Sequence, residues 1–289
     1  MKHKSILITG GAGFIGSALA RNLIKDNEVT SLDNYFSGSE LNHIEGVEYI
    51  KGNVAEIDSI LKNKKYDLIY HLGEYARVEQ SYDDYSFVKD FNIISFSSML
   101  DFAKKSNSKI IYSGSSTKFG SYFGDETDSP YSWSKKKNTE HLKLYSEWFG
   151  LDYAITYFYN VYGEGEINKG KYSTVVAKFL ESYKNNEEAL KVVSPGTQTR
   201  NFTHIEDIVS ALVIIGEKGS GDDYGIGSDE SYSILDLADM VGLPIKMEKE
   251  RRGNRLDGDL ITEKTKKLGW ECKKNLKDYI QNFKSNLKD

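Results

Sequence analysis

Tyr131 and Lys135 stand four residues apart, the spacing that sets two side chains on one face of a helix. An ammonium so placed stabilises a phenolate, lowers the tyrosine pKa and gives an acid/base usable near neutral pH. Spacing alone does not single the pair out, because the chain has 20 tyrosines and Tyr85/Lys89 repeats it. Position separates them. Tyr131 follows an apolar, β-branched run, Lys109 to Ser113, which leads into the hydroxyls of Ser113, Ser115, Ser116 and Thr117. In open α/β sheets ligands bind at the carboxyl ends of such strands. Tyr85 lacks neighbours of this kind and reads as an ordinary helix-surface pair with Lys89.

The second constellation is the turn Gly10-Gly11-Ala12-Gly13-Phe14-Ile15-Gly16. It follows a short apolar run, Ser5 to Thr9, and opens a helical segment, where backbone N–H groups and the helix dipole hold a pyrophosphate. Asp33 ends the next apolar run at the distance expected for a hydrogen bond to adenosine ribose hydroxyls. A carboxylate there repels a 2′-phosphate, so the expected cofactor is NAD rather than NADP.

The elements that must carry these residues alternate. Strand-like runs recur at Ser5 to Thr9, Val29 to Asp33, Val47 to Lys51, Asp67 to Leu72, Lys109 to Ser113 and Tyr153 to Tyr159. Helical segments lie between them, most clearly Ala12 to Lys25, Asp83 to Lys105 and Tyr131 to Phe149. Alternation of this kind implies parallel βαβ units, hence an α/β, Rossmann-type doubly wound parallel sheet filling roughly the first half of the chain. Beyond Asn160 come a glycine- and charge-rich loop (Gly163 to Gly170), a helix (Ser173 to Lys184), a turn at Ser194-Pro195-Gly196 and further helices at Ile205 to Gly216, Ile234 to Met240 and Thr262 to Leu268. The expected division is residues 1–160 as the dinucleotide-binding part, 200–228 returning to it, and 161–199 with 229–289 as a smaller substrate lobe.

Composition excludes several classes. With 289 residues, 39% hydrophobic, the chain can bury a sizeable core. A formal net charge of −5 and the lack of a dense Lys/Arg run argue against nucleic acid. No segment approaches the roughly 20 apolar residues of a membrane span, and the N-terminus lacks the pattern of a secretory signal, so the expected location is cytoplasmic. Cys272 is the only cysteine and the five histidines show no ligand spacing, so neither a disulfide within the chain nor a metal site is expected.

Taken together, Ile8 to Gly16, Asp33-Asn34, His71-Leu72-Gly73, Tyr112 to Gly120, Tyr131-Ser132-Trp133-Ser134-Lys135, Asn160-Val161-Tyr162-Gly163, Arg200 to Asp207 and Arg251-Arg252-Gly253-Asn254 resemble the extended short-chain dehydrogenase/reductase family, of the UDP-glucose 4-epimerase-like, NAD-dependent nucleotide-sugar epimerase/dehydratase type. The resemblance covers nearly the whole chain. It implies that Ser115, Tyr131 and Lys135 are catalytic. It places Gly10, Gly13, Phe14, Ile15, Gly16, Asp33, Asn34, Asn53, Val54, Leu72, Gly73 and Asn92 at the cofactor, with Tyr131 and Lys135. Ser115, Ser116, Asn160, Arg200 and Arg251 then face the nucleotide sugar. Asn53 stands where the family usually has an Asp near the adenine. Other departures are Tyr157 for an arginine, Glu164 for a proline and Glu74 for an alanine, and Arg77 and Glu79 put charge in the loop that should face the sugar.

The activity so implied is epimerisation of a nucleotide-diphosphate hexose at C4 through a transient 4-keto sugar, with NAD regenerated in each turnover. A 4,6-dehydratase needs an acidic pair after its catalytic threonine, where this chain has Ser116 and Thr117. A net reductase or dehydrogenase would use the same triad, and a non-catalytic dinucleotide-binding protein would retain the fold without the reaction. The resemblance also implies a homodimer formed by the helices Asp83 to Lys105 and Tyr131 to Phe149, although Phe91, Phe96, Met99, Phe102, Leu142 and Leu144 would serve equally as internal core.

Overall fold

The computed structural model describes residues 1–119, 129–250 and 259–287. Seven strands form one parallel sheet: β1 (Ser5–Thr9), β2 (Glu28–Asp33), β3 (Glu48–Lys51), β4 (Leu68–His71), β5 (Lys109–Ser115), β6 (Tyr153–Phe158) and β7 (Gly221–Ile226). Their spatial order is β7-β6-β5-β4-β1-β2-β3. Chain order reverses between β1 and β4, and at such a switch point the loops leaving the two strands diverge and open a crevice.

Period-two alternation sends successive side chains of each strand to opposite faces. Ile6 and Ile8 of β1 enter a core shared with α1 (Phe14–Leu23) and α5 (Ile205–Lys218), through Leu19, Leu23, Leu212 and Ile215. Leu7 faces the other way, into a core with Phe96, Met99 and Phe102 of α2 (Ser95–Ser106) and Leu142 of α3 (Pro130–Phe149). Covering both faces is what lets strands of this kind read as continuous apolar runs. A third core joins α4 (Val175–Lys184), α6 (Ile234–Val241) and α7 (Leu276–Asn286) to a parallel pair, Leu190–Val193 with Ile245–Glu248.

Local chemistry sets the ends of the helix that carries Tyr131. Ser129 caps α3 by accepting the Ser132 N–H at 3.1 Å, Pro130 occupies the first turn, and Gly150 at φ +70° ends it.

Two features were absent from the sequence expectation. The helix expected over Asp83 to Lys105 contains a π-helical stretch, Lys89–Ile94, between the α-helical Tyr85–Val88 and α2. The sheet has a seventh strand, β7, within the 200–228 stretch expected to return to this part of the molecule, where no strand-like run was read. Of the six apolar positions weighed for a dimer face, Phe96, Met99, Phe102 and Leu142 are buried core and Phe91 packs on Phe36 and Phe87, while Leu144 is 43% exposed. No helix among the described residues is long and apolar enough to cross a membrane.

Candidate active site

A cleft of about 620 Å³ lies at the switch point, over the carboxyl ends of β1, β2, β4, β5 and β6. Its floor is the glycine turn. Gly10 has φ +74°, and a Cβ there would lie 2.8 Å from the Cα of Gly73 at the end of β4, so the two crossing segments approach only because both are glycine. A Cβ on Gly16 would lie 2.1 Å from the Gly10 carbonyl oxygen. Gly13 precedes α1 with no side chain capping the helix, which leaves N–H groups of the first turn facing the cleft and fits a pyrophosphate.

Asp33 is 7% exposed, and its carboxylate accepts the Ala12 N–H at 2.9 Å and the Tyr35 N–H at 2.8 Å. Each oxygen keeps a lone pair for a diol. Nδ2 of Asn34 donates to Oδ1 of Asn53 at 2.9 Å, which orients both side chains at the rim. Val54, Leu72, Gly73, Phe14 and Ile15 line the same cleft. Asn92 does not line it. Its Oδ1 accepts the Tyr75 N–H at 2.7 Å while Nδ2 donates to the Tyr75 carbonyl at 3.1 Å and to Ser134 Oγ at 2.8 Å. Its side chain is spent joining the π-helical stretch to the loop after β4 and to α3.

The chemistry-bearing residues meet at the centre. Tyr131, in the first turn of α3, is half-buried, and Lys135 lies one turn on with Nζ 6.0 Å from the Tyr131 ring centre. Ser115 ends β5, where its Oγ accepts the Thr117 hydroxyl at 2.9 Å and keeps its own proton to donate. All three line the cleft, as do Ser116, Asn160 and Arg200. Asn160 has φ +33° and its carbonyl holds the Thr203 N–H. Arg200 donates to the Thr199 carbonyl at 2.6 Å on the substrate-lobe side. Arg251 lies outside the described residues.

Sequence reasoning missed Glu166 and saw Glu74 and Arg77 only as departures. Glu166 lines the cleft; burial pushes its carboxyl up to about 7, against the lowering effect of Thr174, the Gly163 N–H and Arg77. Arg77 reaches across to the Tyr172 carbonyl with Nε at 2.8 Å, and its cation lies near Tyr131. Glu74 is buried against Lys135, at 2.5 Å. Nothing in the spacing of Glu166, within a glycine-rich loop, marks it as a cleft residue.

The sequence pattern of the NAD dependent epimerase/dehydratase family matches residues 6–227. The chain belongs to this family. NAD is therefore its cofactor, and the glycine turn, the uncapped α1 and Asp33 are the residues here that fit it. Among epimerase/dehydratase relatives, a putative UDP-glucose 4-epimerase of Methanocaldococcus jannaschii is 29% identical over 96% of both chains. A UDP-glucuronic acid decarboxylase of Arabidopsis thaliana is 32% identical, over 94% of this chain and 86% of the relative. The solved UDP-N-acetylglucosamine 4-epimerase of Methanobrevibacter ruminantium superposes with a TM-score of 0.88 at 26% identity, over 99% of this chain and 100% of that one. The UDP-glucose 4-epimerase of Thermotoga maritima, solved with UDP-glucose, gives 0.88 at 26% over 98% and 99%. The family thus includes enzymes of nucleotide-sugar chemistry of more than one reaction type.

Proposed function

We propose that this chain is an NAD-dependent nucleotide-sugar epimerase acting at C4 of a nucleotide-diphosphate hexose through a transient 4-keto sugar. The observation that supports it is the common cleft: the hydroxyls of Ser115 and Tyr131 and the Lys135 ammonium converge beside the dinucleotide turn. Tyr131 takes the proton of the sugar hydroxyl and later returns it. Ser115 hydrogen-bonds the reacting oxygen, and Lys135 supplies the cation beside the phenolate. Bound NAD supplies the hydride acceptor and, in the reverse sense, the donor. Asn160, Arg200 and Arg251 hold the diphosphate while the keto sugar turns over.

Elimination at C6, the dehydratase route, calls for a carboxylic acid beside the catalytic hydroxyl, and Ser116 and Thr117 supply none. In this reading residues 161–199 and 229–289 form the substrate lobe. The chain works as a homodimer through exposed apolar side chains of the helical segments 85–106 and 130–149, such as Ile94, Leu144 and Trp148. Proton NMR of products from UDP-, GDP-, CDP- and dTDP-sugars, with absorbance at 340 nm followed in parallel, tests the reaction. A C4 epimer without net NADH is expected; a net change in NADH, a 6-deoxy-4-keto sugar or loss of carbon dioxide would replace this reading. A monomer on sedimentation at micromolar concentration would remove the dimer.

A further inference from the structure

Lys135 does not stand alone beside Tyr131. Its Nζ lies 2.5 Å from Oε2 of Glu74 and donates to the Ser113 carbonyl oxygen at 2.6 Å. The Glu74 carboxylate is held in turn from two further strands and from α3. Oε1 accepts Nδ2 of Asn138 at 2.8 Å, Oε2 accepts the Tyr112 hydroxyl at 3.1 Å, and Nε2 of His71 lies 3.3 Å from Oε1. Nδ1 of His71 is 2.8 Å from Thr9 Oγ1, which already accepts the Gly73 N–H at 3.2 Å. His71 is thereby held between Thr9 on one ring nitrogen and the Glu74 carboxylate on the other side. The Glu74 and Lys135 side chains are 1% and 5% exposed.

An ammonium serves a tyrosine acid/base through its place and its charge. Two of the three Lys135 protons are fixed by Glu74 and Ser113, which leaves one for the cleft. Burial alone would raise the Glu74 carboxyl, but Lys135 and His71 outweigh it and hold it below the usual carboxylate range, so it is ionised at neutral pH. An ionised carboxylate against the ammonium cancels much of the field that Lys135 exerts on the phenolate.

We propose that Glu74 is a positioning residue that clamps Lys135 and damps its charge, and so sets the pH at which Tyr131 gives up its proton. The inference rests on Tyr131 as the acid/base, not on the identity of the sugar. The charged and titratable groups facing the pair are His71 on β4 and Tyr112 on β5, both of which contact Glu74 and lose that partner's charge in a neutral variant, and Tyr131 on α3, near which the Arg77 cation of the loop after β4 also lies.

Protein labelled with ¹³C at tyrosine Cζ and saturated with NAD reads the titration without a substrate, with Tyr131→Phe assigning the signal. In Glu74→Gln and in Glu74→Ala the Tyr131 midpoint should move down by about one pH unit, whereas Glu74→Asp, which keeps the charge, should stay near the parent. An unmoved or raised midpoint in the neutral variants overturns the proposal. So does failure of both neutral variants to fold, which would assign Glu74 to the architecture instead. Absence of turnover on every nucleotide sugar would count against the proposed function alone and leave this titration standing.

Discussion

Oδ2 of Asp33 accepts the Ala12 N–H at 2.9 Å, so the carboxylate that ends β2 also fixes the middle of the glycine turn. Recognition of the adenosine ribose and the shape of the pyrophosphate loop therefore share one side chain. Asp33→Asn keeps an acceptor for Ala12 but removes the charge and sets an amide against the Tyr35 N–H. NAD affinity measured by calorimetry should fall about tenfold or more, and the ratio of NADP to NAD affinity should rise. Unchanged affinity for both would remove Asp33 from the cofactor site.

Tyr131→Phe deletes one hydroxyl from a half-buried ring and leaves the α3 cap at Ser129 intact. Turnover of the sugar identified by the NMR screen should drop at least about 100-fold, with circular dichroism and melting temperature close to the parent. A variant retaining most of the rate would place the acid/base elsewhere.

Lys135→Met leaves Glu74 buried without its counter-ion. At pH 7 the cost should be about 3–5 kcal/mol in urea unfolding. The deficit should shrink as pH is lowered, because the orphaned carboxyl then takes up a proton. Glu74→Gln combined with Lys135→Met should recover part of the loss, and additive losses would show that the two side chains do not act as a pair.

Glu166 titrates the other way from a salt-bridged acid. Its folded value of about 7 lies above its ordinary 4.5, so the folded chain holds this proton more tightly than the unfolded one. The stability it contributes is present below about pH 4.5 and is lost as pH rises through 7. Glu166→Gln should be about as stable as the parent at pH 4.5 and more stable at pH 8, by roughly 1–3 kcal/mol. Equal pH dependence of the two proteins in denaturant melts would contradict the burial of this carboxyl.

The inner strands among β1 to β6 were legible because burial on both faces leaves apolar runs, the half-exposed edge strand β3 by its Val47 to Ile50 stretch, and the glycine turn because its conformation and close approaches demand glycine. β7 was not. Gly-Asp-Asp-Tyr-Gly-Ile has no apolar run, and Asp223 at φ +72° breaks its register with β6. The π-helical stretch was invisible for a related reason: Phe91 and Phe96 were weighed together as apolar positions of one helix, yet across the wider turn Phe91 packs on Phe36 and Phe96 enters the core. In the site, Tyr131 and Lys135 were singled out by type, spacing and position and Ser115 by the family resemblance, and the structure sets all three in one cleft. The engagement of Asn92 with Tyr75 and Ser134, and of Glu74 with Lys135, depends on loops whose paths no local pattern encodes.

The late origin of β7 has a consequence for how the molecule is made. While the ribosome is still adding residues 159–220, β6 forms the outer edge of an incomplete sheet, with its backbone donors and acceptors on that side unpaired. Strand β7 and the Ile205–Lys218 helix arrive in immediate succession, so the edge and the hydrophobic face beneath it are covered almost together. A nascent chain halted shortly before residue 221 should be the species most in need of a chaperone.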